Sequence, residues 1–229
     1  SDFILKDITI DKCQVEDNYA FYWCTANLEN DVYECEAINL NYNSSQNYLL
    51  IRSGSYYDSD LPSSYDLRDY RLVTSVKNQG SNGNCWAFAA LGVLESCILK
   101  ATGIEYDLSE ENMKNIIALY SDYGWKIDTN TGGYTKMPWG YLAGWLGPVD
   151  ETDDLFDDKS TLSPILNSTI HVQNIKFLKR SSYTDNDEIK WAVLNYGAVG
   201  TGMYFDNRYL NTRNYAYYYW GNNANHAVT

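Results

Sequence analysis

The longest apolar run along the chain begins at Cys85, directly after a polar, glycine-punctuated stretch, Gln79-Gly80-Ser81-Asn82-Gly83-Asn84. Trp86, Phe88, Ala89, Leu91, Val93, Leu94, Cys97 and Ile98 cover most sides of a helix, so the pattern predicts a core helix ended by Gly103 as its C-cap. A second helix is expected from Ser109, whose hydroxyl suits an N-cap; Glu110 and Glu111 fill the first turn, and Met113, Ile116, Ile117 and Tyr120 share a face. Trp125 to Thr135 reads as loop, and Pro138 to Leu146 as a short aromatic helix broken by Gly147-Pro148-Val149. Asp185-x-x-Glu188 has the form of a capping box before Ile189, Ala192, Val193 and Tyr196, with Gly197 as the stop. Ala198 to Phe205, Tyr215 to Trp220 and His226 to Thr229 read as strands.

Upstream the period changes. Ile4 to Ile10, Tyr19 to Leu28, Val32 to Leu40 and Tyr48 to Arg52 are short β-like runs separated by Asn-, Asp- and Ser-rich turns. Residues 1–60 are therefore expected to form a small β-rich segment, a pro-region or appended module, with Gly54 to Asp60 as linker to a second region, 61–229. Helices followed by strands in that second region argue for an α+β fold.

A net charge of −13 over 229 residues argues against nucleic acid or an anionic membrane as partner, since both reward clusters of Lys and Arg. No run approaches the roughly 18 apolar residues of a membrane span, and no signal peptide precedes Ser1. Without an initiator Met the chain reads as an excised piece of something longer. Asn43-Ser44-Ser45 and Asn167-Ser168-Thr169 fit the glycosylation sequon, which points weakly to export. Of the five cysteines, Cys13, Cys24 and Cys35 lie in the first sixty residues; one disulfide among them is compatible with export, and its pairing stays open. Zinc is disfavoured because no close Cys pair or second His accompanies them, and the acidic run from Asp150 to Asp158, lacking EF-hand spacing, reads as a solvated loop.

A thiol at the first turn of a buried helix faces unpaired N–H groups and the positive end of the helix dipole, which favour the nucleophilic thiolate. A lone cysteine there is more often a small buried hydrophobe. The surrounding residues change that balance. Asn82-Gly83-Asn84-Cys85-Trp86 is followed by His226 at a separation of 226 − 85 = 141, and the chain has two histidines. The other, His171, lies in an alternating stretch, His171-Val172-Gln173-Asn174-Ile175, where a half-exposed strand histidine is the expectation.

In these residues the chain resembles the papain (C1) family of cysteine peptidases, whose catalytic Cys and His are roughly 130 to 150 residues apart. Leu61-Pro62-Ser63-Ser64-Tyr65-Asp66-Leu67-Arg68-Asp69 resembles the start of a mature enzyme, in the manner of its secreted archaeal and bacterial branch. Val73 to Gly80, Leu108-Ser109-Glu110-Glu111, Gly132-Gly133-Tyr134 and Asn225-His226-Ala227-Val228 resemble further family segments. The resemblance implies a two-lobed papain-like fold, a helical lobe with the central Cys helix plus a β-barrel-like lobe. It implies Cys85 as nucleophile, His226 as base and ion-pair partner, and Gln79 in the oxyanion hole with the backbone N–H of Cys85. Gly132 and Gly133 would pair with substrate backbone, and Asn225, Gly202 and Met203 would border the main specificity pocket.

Two departures accompany the resemblance. Asn82 and Asn130 stand where many members have a disulfide, so the loop must be held by hydrogen bonds and packing. The chain also stops at Thr229, before the Asn-Ser-Trp-Gly motif that supplies the family's third triad residue, and so reads as truncated after the catalytic His. The expected protein is a secreted or surface-attached cysteine endopeptidase, monomeric, without cofactor or metal, acting on peptide or protein substrates. A transglutaminase-like or cell-wall amidase site lacks the Gln79 spacing and the glycine pair. An impaired papain-like scaffold serving adhesion remains as the alternative.

Overall fold

The computed structural model describes residues 20–27, 32–39, 61–134, 136–157, 159–178, 180–221 and 223–229. Near the N-terminus, β1 (Ala20–Asn27) and β2 (Val32–Asn39) pair antiparallel, with Cys24 opposite Cys35. These strands match two of the expected runs. The runs from Ile4 and Tyr48 and the linker from Gly54 lie outside the described residues.

Helix α1 (Cys85–Thr102) organises the rest, starting at the thiol and ending at Gly103 in the left-handed conformation, as its sequence predicts. Trp86, Ala87 and Leu91 enter a core shared with Leu108, with Met113 and Ile116 of α2 (Glu110–Ile116) and with Met137, Tyr141 and Leu142 of α3 (Met137–Ala143). By length and composition, α1 would also suit a membrane span, contrary to the sequence expectation. Its packing and the buried Glu95 in its interior mark it as the core helix among the described residues.

Helix α2 (Glu110–Ile116) begins as expected: the Ser109 hydroxyl accepts the Asn112 N–H at 3.0 Å. It ends sooner than the sequence suggests. Ile117 is its C-cap, and Tyr120 turns out to solvent instead of sharing the apolar face. The expected capping box does not form before α4 (Asp187–Asn195): Asn186 is the N-cap, and Asp185 accepts from the Ser181 N–H and hydroxyl at 2.8 and 2.6 Å. A nearer turn captured its carboxylate.

The strands are shorter than their sequence runs. β3 (Thr201–Met203) pairs antiparallel with β6 (His226–Val228), setting Met203 opposite His226 and Gly202 opposite Ala227. Between them β4 (Leu210–Asn211) and β5 (Ala216–Tyr217) form a separate hairpin. Ser96 joins the two parts. Its hydroxyl donates to the Leu72 carbonyl at 2.6 Å and accepts the Ala198 N–H at 3.0 Å, fixing where the chain leaves α4 for β3.

Two further expectations are corrected. His171 lies in an irregular segment, its ring 4.6 Å from that of Trp145, and burial lowers its pKa. The acidic run is only partly solvated, because the Asp154 carboxylate accepts from the Asn112 side chain at 3.0 Å and its carbonyl from the Ser109 hydroxyl at 2.5 Å.

Candidate active site

Cys85 is the first residue of α1. Asn84 precedes it without a side-chain cap, and no carboxylate occupies the first turn, in contrast to α2, which carries Glu110 and Glu111 there. The positive end of α1 is thus left for the thiol itself. Cys85 and Cys97, the two free thiols of α1, are both partly exposed, and desolvation pushes the Cys97 thiol up to about 11. Strand β6 packs against α1: the Thr229 hydroxyl donates to the Ala89 carbonyl, one turn from Cys85, at 2.7 Å, and Ala227 reaches the core beneath. That contact sets the strand that opens with the partly exposed His226 against the helix that begins with the thiol.

Gln79 sits in the loop before α1. Its side-chain amide donates to the Asn82 carbonyl at 2.8 Å. An amide NH₂ has two protons, so this bond orients the group and leaves the second one for another acceptor.

The loop stands without a disulfide through backbone contact with the 128–133 segment. The Gly83 N–H donates to the Asn130 carbonyl at 3.0 Å, and a Cβ at Gly83 would overlap the backbone of Gly132. The Asn130 side-chain oxygen receives the Asn84 amide and the Lys114 ammonium, each at 3.5 Å. Gly132 has φ of 93°, a conformation that requires glycine, and a Cβ on Gly133 would strike the Trp86 indole nitrogen. The glycine pair therefore stands on the α1 side of the site. Gly202, Met203 and Asn225 stand on the other side with His226. Asn225 is already engaged there: its N–H donates to the Met203 carbonyl at 3.0 Å, and its side chain accepts from and donates to the Phe205 backbone at 2.7 and 3.1 Å. It clamps the turn after β3.

A buried charge cluster under the Gln79 loop escaped the sequence reading. Lys77 reaches Glu95 at 2.8 Å, Glu110 at 2.9 Å, Asp107 at 2.7 Å and the Leu108 carbonyl at 3.1 Å. Burial pulls Lys77 down, but the charges of Glu110, Asp107 and Glu95 more than offset it, and its net shift is upward. Burial pushes Glu110 up to about 7, against the opposing pull of Lys77 and with help from Glu95. The two directions agree physically: two buried carboxylates share one ammonium, so the ammonium keeps its proton while Glu110 tends to take one. A second cation, Lys114, is fully buried, pairs with Glu111 at 3.0 Å and lies over the Phe156 ring. The available sequence signal was Glu95 itself, a charge inside an otherwise apolar helix.

Residues 61–229 match the family described as papain family cysteine protease. Cathepsin S of Mus musculus is 33% identical over 150 residues, covering 65% of this chain and 43% of its own. A cathepsin L-like protein of Caenorhabditis elegans is 26% identical over 147 residues, 64% of this chain and 42% of its own. The chain thus spans about two fifths of the length of the curated relatives it matches. A solved structure of the cysteine protease and lectin-like domains of Cwp84, a surface layer associated protein of Clostridium difficile, is similar at 29% identity and a TM-score of 0.63, covering 73% of this chain and 38% of that one. Digestive procathepsin L 3 of Tenebrio molitor, 20% identical with a TM-score of 0.57, covers 75% of this chain and 56% of that one and is similar in fold.

Proposed function

The chain belongs to the papain family of cysteine proteases and has the family's α+β fold, and from that premise we propose that it hydrolyses peptide bonds through Cys85 and His226. The observation that carries the reading is the start of α1: a partly exposed thiol on an uncapped, carboxylate-free helix end, with the strand bearing His226 packed against the same helix.

His226 takes the Cys85 proton, and the thiolate attacks the carbonyl carbon of the scissile bond. Negative charge moves to the carbonyl oxygen, where the free proton of the Gln79 amide and the Cys85 backbone N–H donate to it. The imidazolium then protonates the departing amine, and a thioester remains on Cys85. Water, deprotonated by His226, attacks that thioester, releasing the acid and restoring the thiol. Gly132 and Gly133 offer bare backbone to the acyl side of an extended substrate. Gly202 and Met203 border the pocket on the His226 side, and Asn225 holds the adjoining turn. Gln79 acts as donor because Asn82 holds its other proton, so the loop's hydrogen bonds take the place of a disulfide there.

A peptide or protein substrate follows from this chemistry. Export to the cell surface is supported by the likeness to a surface layer associated protease and by the exposed sequon residue Asn167. The test is stoichiometric labelling near neutral pH by a peptidyl epoxide, with the adduct mapped by mass spectrometry beside a Cys85→Ala control. Modification confined to folded Cys85 is expected. A folded, unblocked Cys85 that never reacts would overturn the peptidase reading and favour a binding scaffold.

A further inference from the structure

Eight of the seventeen residues from Tyr204 to Trp220 are aromatic, and only Asp206 among them is acidic, in a chain whose net charge is −13. Together with Arg208 and Arg213 this makes the β4–β5 hairpin locally positive by one charge on an acidic protein. Its rings form a connected strip. Phe205 lies 6.3 Å, ring to ring, from His226 and is stacked on Tyr217 at 5.8 Å; Tyr217 meets Tyr209 at 6.4 Å, and Tyr209 meets Trp220 at 5.3 Å. The backbone under the strip is fixed at Tyr204 and Phe205. Asn225 clamps Phe205, and the Tyr217 hydroxyl donates to the Tyr204 carbonyl at 2.5 Å. These contacts hold large rings open to solvent: Phe205 is 41% exposed, Trp220 71% and Tyr218 73%. Contiguous exposed apolar surface of this kind marks a contact site when it adjoins a cleft.

The direction of the cleft follows from proton transfer. The imidazolium must stand beside the departing nitrogen, so the residues that follow the scissile bond leave on the His226 side, while the residues that precede it lie along Gly132 and Gly133. An extended chain advances about 3.3 Å per residue. At that rise Phe205 is reached by the first or second residue after the scissile bond, and Tyr217 and the outer rings by the next two or three.

We propose that the aromatic strip from Phe205 to Trp220 is a binding wall for the leaving side of the substrate, and that it selects aromatic or large apolar residues there over glycine and acidic ones. The direction rests on the peptidase reading; the surface itself does not. Rings already held in place lose little conformational freedom on binding, which suits them to this role. Acidic residues are selected against by the field of the whole chain, which the one local positive charge does not cancel.

The test separates binding from chemistry. Tetrapeptide amides representing the leaving fragment, with phenylalanine or leucine, glycine, or aspartate in the first three positions, are titrated into the Cys85→Ala protein by calorimetry. The aromatic and leucine peptides are expected to bind at least about fivefold to tenfold more tightly than the glycine peptide, and the aspartate peptide more weakly still. Phe205→Leu and Trp220→Leu keep apolar volume in place and remove the ring; each should reduce the preference for phenylalanine over glycine by about threefold or more. Equal affinity across the panel, or a preference that survives both substitutions in folded protein, overturns the proposal. Selective binding in a protein whose Cys85 resists the epoxide would retain the wall and sink the peptidase reading alone.

Discussion

Replacing Lys77 with methionine removes the one ammonium shared by Glu95 and Glu110 while nearly preserving side-chain length. Both carboxylates are essentially inaccessible, at 0% and 1% exposed, so water cannot take over the lost contacts. Breaking a buried ion pair from one side costs about 3 to 5 kcal/mol, because the remaining charge is left unpaired. The cost must depend on pH. Glu110, held at about 7 in the fold against 4.5 in the unfolded chain, contributes stability that is present below the unfolded value and lost as pH rises through 7. A rise from 4.5 to about 7 corresponds to roughly 3 kcal/mol. Without Lys77 the Glu110 carboxylate is pushed further up, so the variant loses more on going from acid to alkaline pH than the parent does. Urea unfolding followed by tryptophan fluorescence at pH 5, 6.5 and 8, in a Cys85→Ala background that prevents self-digestion, measures the difference. We expect a deficit of about 3 kcal/mol or more at pH 8 that shrinks at pH 5, with partial recovery when Glu110→Gln is added. A deficit under about 1 kcal/mol at pH 8, or one that does not change with pH, would refute a shared buried cation.

The remaining predictions concern the thiols, the loop contact and a cap. Iodoacetamide at pH 7.5 should leave Cys97 untouched in the folded protein, since at its raised pKa only about one thiol in three thousand is ionised; peptide mapping that finds Cys97 alkylated before unfolding would contradict that shift. Gly83→Ala should lower stability by about 1 to 3 kcal/mol and reduce kcat/KM more than tenfold, because the added Cβ drives the Gln79 loop off the Gly132 backbone. Unchanged thermal stability and kinetics would show that the two loops separate freely. Ser109→Ala should cost about 1 kcal/mol in a chemical melt, as the Asn112 N–H loses its acceptor.

What the sequence could reveal was what depends on neighbours in the chain. The limits of α1 were legible because Cys85 follows a polar loop and Gly103 follows the last apolar turn; Ser109 was legible as a cap for the same reason. The second half of α2 was not, since Tyr120 fits the helical period but belongs to a turn in which the Leu119 and Trp125 N–H groups pair with the Ile127 and Ile117 carbonyls. Strands were overextended wherever tyrosines ran together: the run from Tyr215 contributes only two residues to a hairpin, while Tyr219 stacks on Trp220 and meets Tyr209 edge-on. The residues proposed for catalysis, including Gln79 six positions before Cys85, were picked out through the resemblance of their segments to the papain family. Lys77 and Glu95 could not be joined by spacing alone, because their contact forms only when the segment before the loop crosses α1.

The stitching of the Gln79 loop by the Gly83 N–H and the Asn130 carbonyl has a practical side. A thiol nucleophile must be kept from oxidising, and a reductant strong enough to protect it also threatens any disulfide that shapes its surroundings. Here both cysteines of the described 61–229 region are free, so no such conflict arises near Cys85. The protein can be handled in excess dithiothreitol without loosening the loop that carries Gln79, and oxidation at Cys85 is reversible while the sulfur has gone no further than a disulfide or sulfenic acid.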